Sequence, residues 1–131
     1  MIFPIHHIGI ATTDIQTSIH QFSKLGYSSS DIYVDDTQRV IICFLKKDNE
    51  VLIELVSPNS EDSPINNILK KNGTSSYHLC YLTDNIEYAV EHFKGLNFKI
   101  VVKPVSAIAF NNKKVCFMYN QFTGLIELLE N

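Results

Sequence analysis

The 131-residue chain has no run of basic residues and no stretch in which lysine or arginine interleaves with aromatics. With 11 basic and 14 acidic residues its formal net charge is −3. The electrostatic footprint of a nucleic-acid binder is therefore missing. Long apolar runs are missing too: "VIICFL" is far short of the roughly 20 residues that span a bilayer. The start, "MIFPIHH", carries neither a charged leader nor a small-residue cleavage site, so no secretion signal is expected. Cysteine is scarce. Cys43, Cys80 and Cys116 are odd in number, follow no framework spacing and lie in apolar strand-like runs, which fits a reducing cytoplasm. What is present is ordinary for a globular chain: 45% apolar and 19% charged residues, at a length that fits a single domain, 1–131, with a real core.

The chain is written twice. Shifted against itself by 71 residues, "HIGIATTDIQTSIHQFSKLGY" falls on "HLCYLTDNIEYAVEHFKGLNF", so His7 meets His78 and Phe22 meets Phe93. Shifted by 73, "CFLKKDNEVLIELV" falls on "CFMYNQFTGLIELL", so Cys43 meets Cys116 and Glu54 meets Glu127. Two matches in the same order and at nearly the same shift indicate a duplicated module.

Each copy has the same pattern. A short apolar strand (Ile5–Ala11, then Tyr77–Leu82) precedes an amphipathic helix. Asp14 can cap the first helix, with Ile15, Ile19 and Phe22 on one stripe and Gly26 beyond its end. Asp84 or Asn85 can cap the second, with Ile86, Val90 and Phe93 on the stripe. Three strand-like runs follow: "YSSSDIYV", "RVIICFL" and "EVLIELV" in copy one, then "FKIVVKP", "KVCFMY" and "GLIELLE" in copy two. The expected class is α+β, with tandem βαβββ modules at 4–58 and 75–131 joined by a linker, 59–74. "DSPINNILKKNG" in that linker should form a short helix, with Ser63 as N-cap, Pro64 as its first residue and Gly73 past its end.

Each copy also supplies one histidine on its first strand and one glutamate on its last, 47 residues apart for His7 and Glu54 and 49 for His78 and Glu127. A lone strand histidine is usually a hydrogen-bonded core residue, and a lone strand glutamate usually points to solvent. The same pair twice at equivalent positions is a different observation. A carboxylate inside "LIEL" is costly unless paired, protonated or metal-bound. If the copies pack about a pseudo-twofold axis, His7, Glu54, His78 and Glu127 converge as two imidazoles and two carboxylates, a donor set suited to a divalent cation such as Co, Mn, Ni or Zn. His6 points opposite to His7 on a strand and meets Tyr77 in the other copy, so symmetry assigns the ligand to His7. His20 and His92 lie on the helices, and His20 is expected in solvent.

The paired pattern resembles the vicinal-oxygen-chelate superfamily of glyoxalase I, methylmalonyl-CoA epimerases, bleomycin-resistance proteins and extradiol dioxygenases. The resemblance covers nearly the whole chain. Its epimerase branch is most similar, through "HHIGIATTDI", "IELVSPNSEDSPINNILKKNG", "YHLCYLTDNI" and "GLIELLE". It implies an incomplete, cup-shaped β-barrel around a metal whose ligands fall on His7, Glu54, His78 and Glu127, and Gln38 near the mouth of a substrate pocket. It also implies proton transfer next to the carbonyl of an acyl thioester, and the repeated positions of Glu54 and Glu127 make them the candidate bases. A cup-shaped half-barrel leaves strand edges that a homodimer would cover, while the charge, the short apolar runs and the cysteines point to a cytoplasmic protein with no nucleic-acid or membrane partner.

Two departures bear on the substrate. "KPVSAIAFNNKKV" lacks the glycine-rich stretch usual before the penultimate strand of epimerases. Ala11 and Pro58 stand where bacterial glyoxalase I has an arginine and an asparagine, against a glutathione substrate. A lactoylglutathione lyase and a non-catalytic small-molecule binder are the alternative readings.

Overall fold

A computed structural model describes residues 2–131 of the chain. The structure is α+β and divides into two compact units, His7–Tyr77 and His78–Asn131, the latter with the N-terminal residues up to His6.

The first unit follows the βαβββ order: β1 (Ile5–Ala11), α1 (Ile15–Ser23), β2 (Ser28–Asp35), β3 (Val40–Lys46) and β4 (Leu52–Pro58). In space the strands run β2-β3-β4-β1, with β1 parallel to β4 and the other neighbours antiparallel. Helix α1 starts where its sequence says it should. Asp14, in extended conformation, accepts the Thr17 N–H at 3.0 Å and the Thr17 hydroxyl at 2.8 Å, and this holds the Asp14 carboxyl below its usual range. Gly26, at φ +98°, turns the chain toward β2. One face of α1 (Ile15, Ile19, Phe22) packs on Cys43, Leu45, Ile53 and Leu55. Each side chain fully buried there contributes roughly 1.5–3 kcal/mol.

The second unit repeats this design with β5 (Ser75–Thr83), α3 (Ile86–Lys94), β6 (Lys99–Ala107), β7 (Lys113–Asn120) and β8 (Gly124–Glu130), in the spatial order β5-β8-β7-β6. Asn85 is the cap, accepting the Tyr88 N–H at 2.9 Å, and Glu130 from β8 accepts the Ile86 N–H at 3.2 Å. Ile86, Ala89 and Val90 pack on Cys116, Met118, Ile126 and Leu128, the repeat equivalents of Cys43, Leu45, Ile53 and Leu55. The hairpin β6–β7 is interrupted by a one-turn 3-10 helix, Ile108–Phe110, which the sequence pattern does not announce.

Between β4 and β5 lies α2 (Ile65–Asn72). Its cap is Pro64 rather than Ser63. Proline already has helical angles (φ −64°, ψ −20°), and Ser63 joins the turn through its carbonyl, which accepts the Asn66 N–H at 3.1 Å. Gly73 ends the helix at φ +65°, ψ −160°.

Both outer strands are bulged, β2 between Ser29 and Ile32, and β6 between Ile100 and Val102 and again before Val105. A buried thiol anchors each bulge. Cys43 donates to the Ser30 carbonyl at 3.5 Å and Cys116 to the Val102 carbonyl at 3.1 Å. Burial pushes both thiols up, that of Cys116 to about 11.

Candidate metal centre

Strand register explains how each half assembles its pair. In the first unit β1 lies beside β4 with His7 opposite Leu52 and Gly9 opposite Glu54. His7 and Glu54 therefore sit on one face, two residues apart along the ladder. His7 Nε2 lies 3.4 Å from Glu54 Oε1, with side-chain exposures of 0% and 4%. In the second unit Cys80 is opposite Glu127, which gives His78 the same offset. His78 Nε2 lies 3.1 Å from Glu127 Oε1, at exposures of 0% and 3%.

Neighbouring strands complete the likeness. Phe44 on β3 is opposite Glu54, and Phe117 on β7 is opposite Glu127. Both rings meet the imidazole of their own half edge to face, Phe44 against His7 with centroids 6.3 Å apart and Phe117 against His78 at 5.2 Å. Tyr33 on β2 adds a further ring against Phe44 at 6.2 Å. These aromatics escape a search for donors because phenylalanine carries no ligand atom. The repeat holds the signal: "CF" precedes "LIEL" in both copies.

Each half thus offers a buried imidazole nitrogen and a buried carboxylate oxygen within hydrogen-bonding or shared-ligand distance. An aromatic wall lowers the local dielectric and keeps water away. Neutral histidine nitrogen and carboxylate oxygen are the donors that borderline divalent cations take. The residues present fit such an ion.

The remaining expectations have definite positions. Gln38, half-buried in the β2–β3 turn, is held by Asp35: its N–H donates to Asp35 Oδ1 at 2.9 Å and its side-chain amide to Oδ2 at 2.8 Å. Asp35 itself is 3% exposed. His6 is half-buried, its ring against Phe110 with centroids 5.6 Å apart, and His20 is exposed on α1. Ala11 is fully buried, so that position leaves no volume for a long cationic side chain.

Two βαβββ halves, each centred on a buried His–Glu pair, define an α+β class in which the fold and its donors were duplicated together. The chain belongs to the Glyoxalase/Bleomycin resistance protein/Dioxygenase superfamily, whose family model matches residues 6–117. Among curated proteins it is 30% identical to the mitochondrial methylmalonyl-CoA epimerase of Dictyostelium discoideum over 129 residues, 96% of this chain and 76% of that one. It is 28% identical to the ethylmalonyl-CoA/methylmalonyl-CoA epimerase of Cereibacter sphaeroides, covering 99% and 98% of the two chains. Among solved structures, a hypothetical protein of Bacillus halodurans C-125 superimposes with a TM-score of 0.88 at 27% identity, over 100% of this chain and 96% of that one. Among the described residues, no helix is long and apolar enough to cross a membrane.

Proposed function

We propose that the protein is a divalent-metal-dependent epimerase of a methylmalonyl-CoA-like acyl thioester. His7, Glu54, His78 and Glu127 together hold the cation. The observation that carries this reading is the buried His–Glu pair, built in the same register in both halves. The printed activities of the curated relatives supply the substrate class. A cation in this site would supply Lewis-acid stabilisation of the negative charge that grows on a substrate carbonyl oxygen.

The chain's own residues do the rest. Glu54 and Glu127 occupy equivalent positions on the two last strands, so one, as the carboxylate, takes the α-proton and the other, as the carboxylic acid, returns a proton to the opposite face, which inverts the carbon. Phe44 and Phe117, cross-strand from Glu54 and Glu127, cover the imidazoles of His7 and His78 edge to face. The resemblance assigns Gln38 to the mouth of the substrate pocket, and its two hydrogen bonds to Asp35 would hold it there. We read the chain as one domain of two modules, 4–58 and 75–131, linked by 59–74. Exposed Ile32, Val34 and Val101 on the outer strands support a homodimer, and Cys43, Cys80 and Cys116, buried and outside any disulfide, support a cytoplasmic location.

The test is solvent-deuterium exchange at the α-carbon of methylmalonyl-CoA, followed by NMR with Co²⁺ or Mn²⁺ added. The expected result is metal-dependent exchange and epimerisation, with Glu127→Gln and Glu54→Gln each lowering kcat by about 10²–10⁴. Full metal content and full turnover in Glu127→Gln would remove that residue from the scheme. Absence of exchange with tightly bound metal would leave a member of the superfamily with another substrate.

A further inference from the structure

Cys80 is the cysteine that the duplication leaves unexplained. Cys43 and Cys116 are repeat equivalents, and each donates to a bulge carbonyl. Cys80 falls outside that pairing, because the shift of 71 residues sets it against Gly9. It is fully buried in the second unit, in a cluster with Ala107, Val115 and Leu129. As a filler alone it acts as a small apolar side chain, a role that needs no sulfur.

Beside it stands His6, which belongs to the same unit. A ring nitrogen of His6 and Cys80 Sγ lie within 4.8 Å of each other. The His6 ring is half-buried and set edge to face against Phe110, which packs on the same cluster as Cys80. Phe110 therefore steadies the imidazole next to the thiol. Ile5, the residue before His6, is 47% exposed, so the imidazole end of the pair lies close to solvent while the sulfur end is dry. The repeat supplies a comparison. Tyr77 and Gly9 are the equivalents of His6 and Cys80, and they offer no soft donor. The same module thus folds without imidazole or sulfur at these two positions, and packing does not account for the pair.

Donor chemistry separates this pair from the His–Glu pairs. Thiolate sulfur selects soft cations such as copper(I), whereas imidazole with carboxylate suits borderline divalent ions. Charge points the same way. One thiolate balances one positive charge, so a monovalent ion beside a neutral imidazole leaves no net charge in a buried place, and a divalent ion would. The span agrees as well. An ion bonded at about 2.3 Å to sulfur and about 2.0 Å to nitrogen bridges the two donors in a near-linear arrangement after a small side-chain rotation.

We propose that His6 and Cys80 form a second cation site, separate from the His–Glu centre and selective for a soft monovalent ion of the copper(I) class. The ion replaces the thiol proton, which leaves to solvent, and accepts the lone pair of one ring nitrogen. This goes beyond the epimerase reading and does not depend on it.

The test is an anaerobic titration with copper(I) buffered by a competing chelator. It compares the parent with Cys80→Ser, Cys80→Ala and His6→Gln, and with Cys116→Ala, which removes a different buried thiol. Binding is read from the copper–thiolate absorption band and from X-ray absorption at the copper edge. The parent should take up one copper per chain, bonded to one sulfur and one nitrogen. Both Cys80 variants should lose the band, and His6→Gln should weaken binding at least tenfold, about 1.4 kcal/mol. Cys116→Ala should bind as the parent does, and parent loaded with Co²⁺ should take up copper(I) and keep its cobalt. A band that survives in either Cys80 variant, unchanged affinity in His6→Gln, or copper(I) uptake that expels cobalt one for one overturns the site. If copper(I) binds as expected but the chain holds no Co²⁺, the His–Cys site stands and the reading of the His–Glu centre falls.

Discussion

Glu54 and Glu127 are carboxylates flanked on both sides by leucine, isoleucine or valine, and both are almost fully buried. That anomaly was visible in the sequence because it occurs twice beside an identical "LI-L" frame. The histidines became visible only through the alignment of the copies, since "HH" alone gives no reason to prefer His7. What stayed hidden at this scale were contacts made by residues with no ligand chemistry: the rings of Phe44 and Phe117 on the imidazoles, and the thiols of Cys43 and Cys116 bonded to bulge carbonyls. Cys116 makes a measurable prediction. Burial raises its thiol from 9.0 to about 11, so the folded state keeps a proton that the unfolded chain releases above about pH 9. Its contribution is fully present below pH 9 and is lost as pH rises toward 11. The loss of thermal stability between pH 8 and pH 11 should therefore be smaller in Cys116→Ala than in the parent, with melting curves as the readout. Parallel declines would show that the thiol plays no part.

At the level of elements, periodicity and capping residues located the strands and helices well. β1 and β8 match their sequence patterns to the residue, and Asp14 and Asn85 cap as their positions suggest. The bulges in β2 and β6 were not legible, because alternation fails where a residue is inserted and no glycine marks the spot. Ser63 loses the cap to Pro64, since a ring-fixed φ already suits the helix and the serine carbonyl serves the turn instead. Gly73 offers the sharpest test at this scale. Its angles, φ +65° and ψ −160°, belong to a region that only glycine adopts readily, yet a Cβ there would meet nothing within 4 Å. Gly73→Ala should thus destabilise by about 1–3 kcal/mol through backbone strain alone, as read by urea denaturation. A neutral result would mean that the chain after α2 relaxes to a different path.

For the molecule as a whole, duplication is the organising fact: the same core positions and the same donor positions recur in each half. Charge is where the halves differ: residues 92–126 carry five lysines and no acidic residue, whereas β2 and its turn carry Asp31, Asp35 and Asp36. A cation held by donors from both halves would bind only the folded chain. At 100 times its dissociation constant it should add about 2.7 kcal/mol of stability, seen as a rise in Tm that a chelator reverses and that His78→Asn abolishes. Identical melting with and without Co²⁺, Mn²⁺, Ni²⁺ or Zn²⁺ would count against a shared site.

The parallel pairing of β1 with β4, and of β5 with β8, also bears on how the protein comes into being. In each half the first strand must wait for the last, a separation of 47 residues for His7 and Glu54 and 49 for His78 and Glu127. Closing so long a loop is entropically costly and makes folding slow, and neither donor pair exists until its loop has closed. On the ribosome the first half can complete its pair while the second is still being synthesised. The chain thus acquires its carboxylate–imidazole centres one at a time, each as the closing event of its own half.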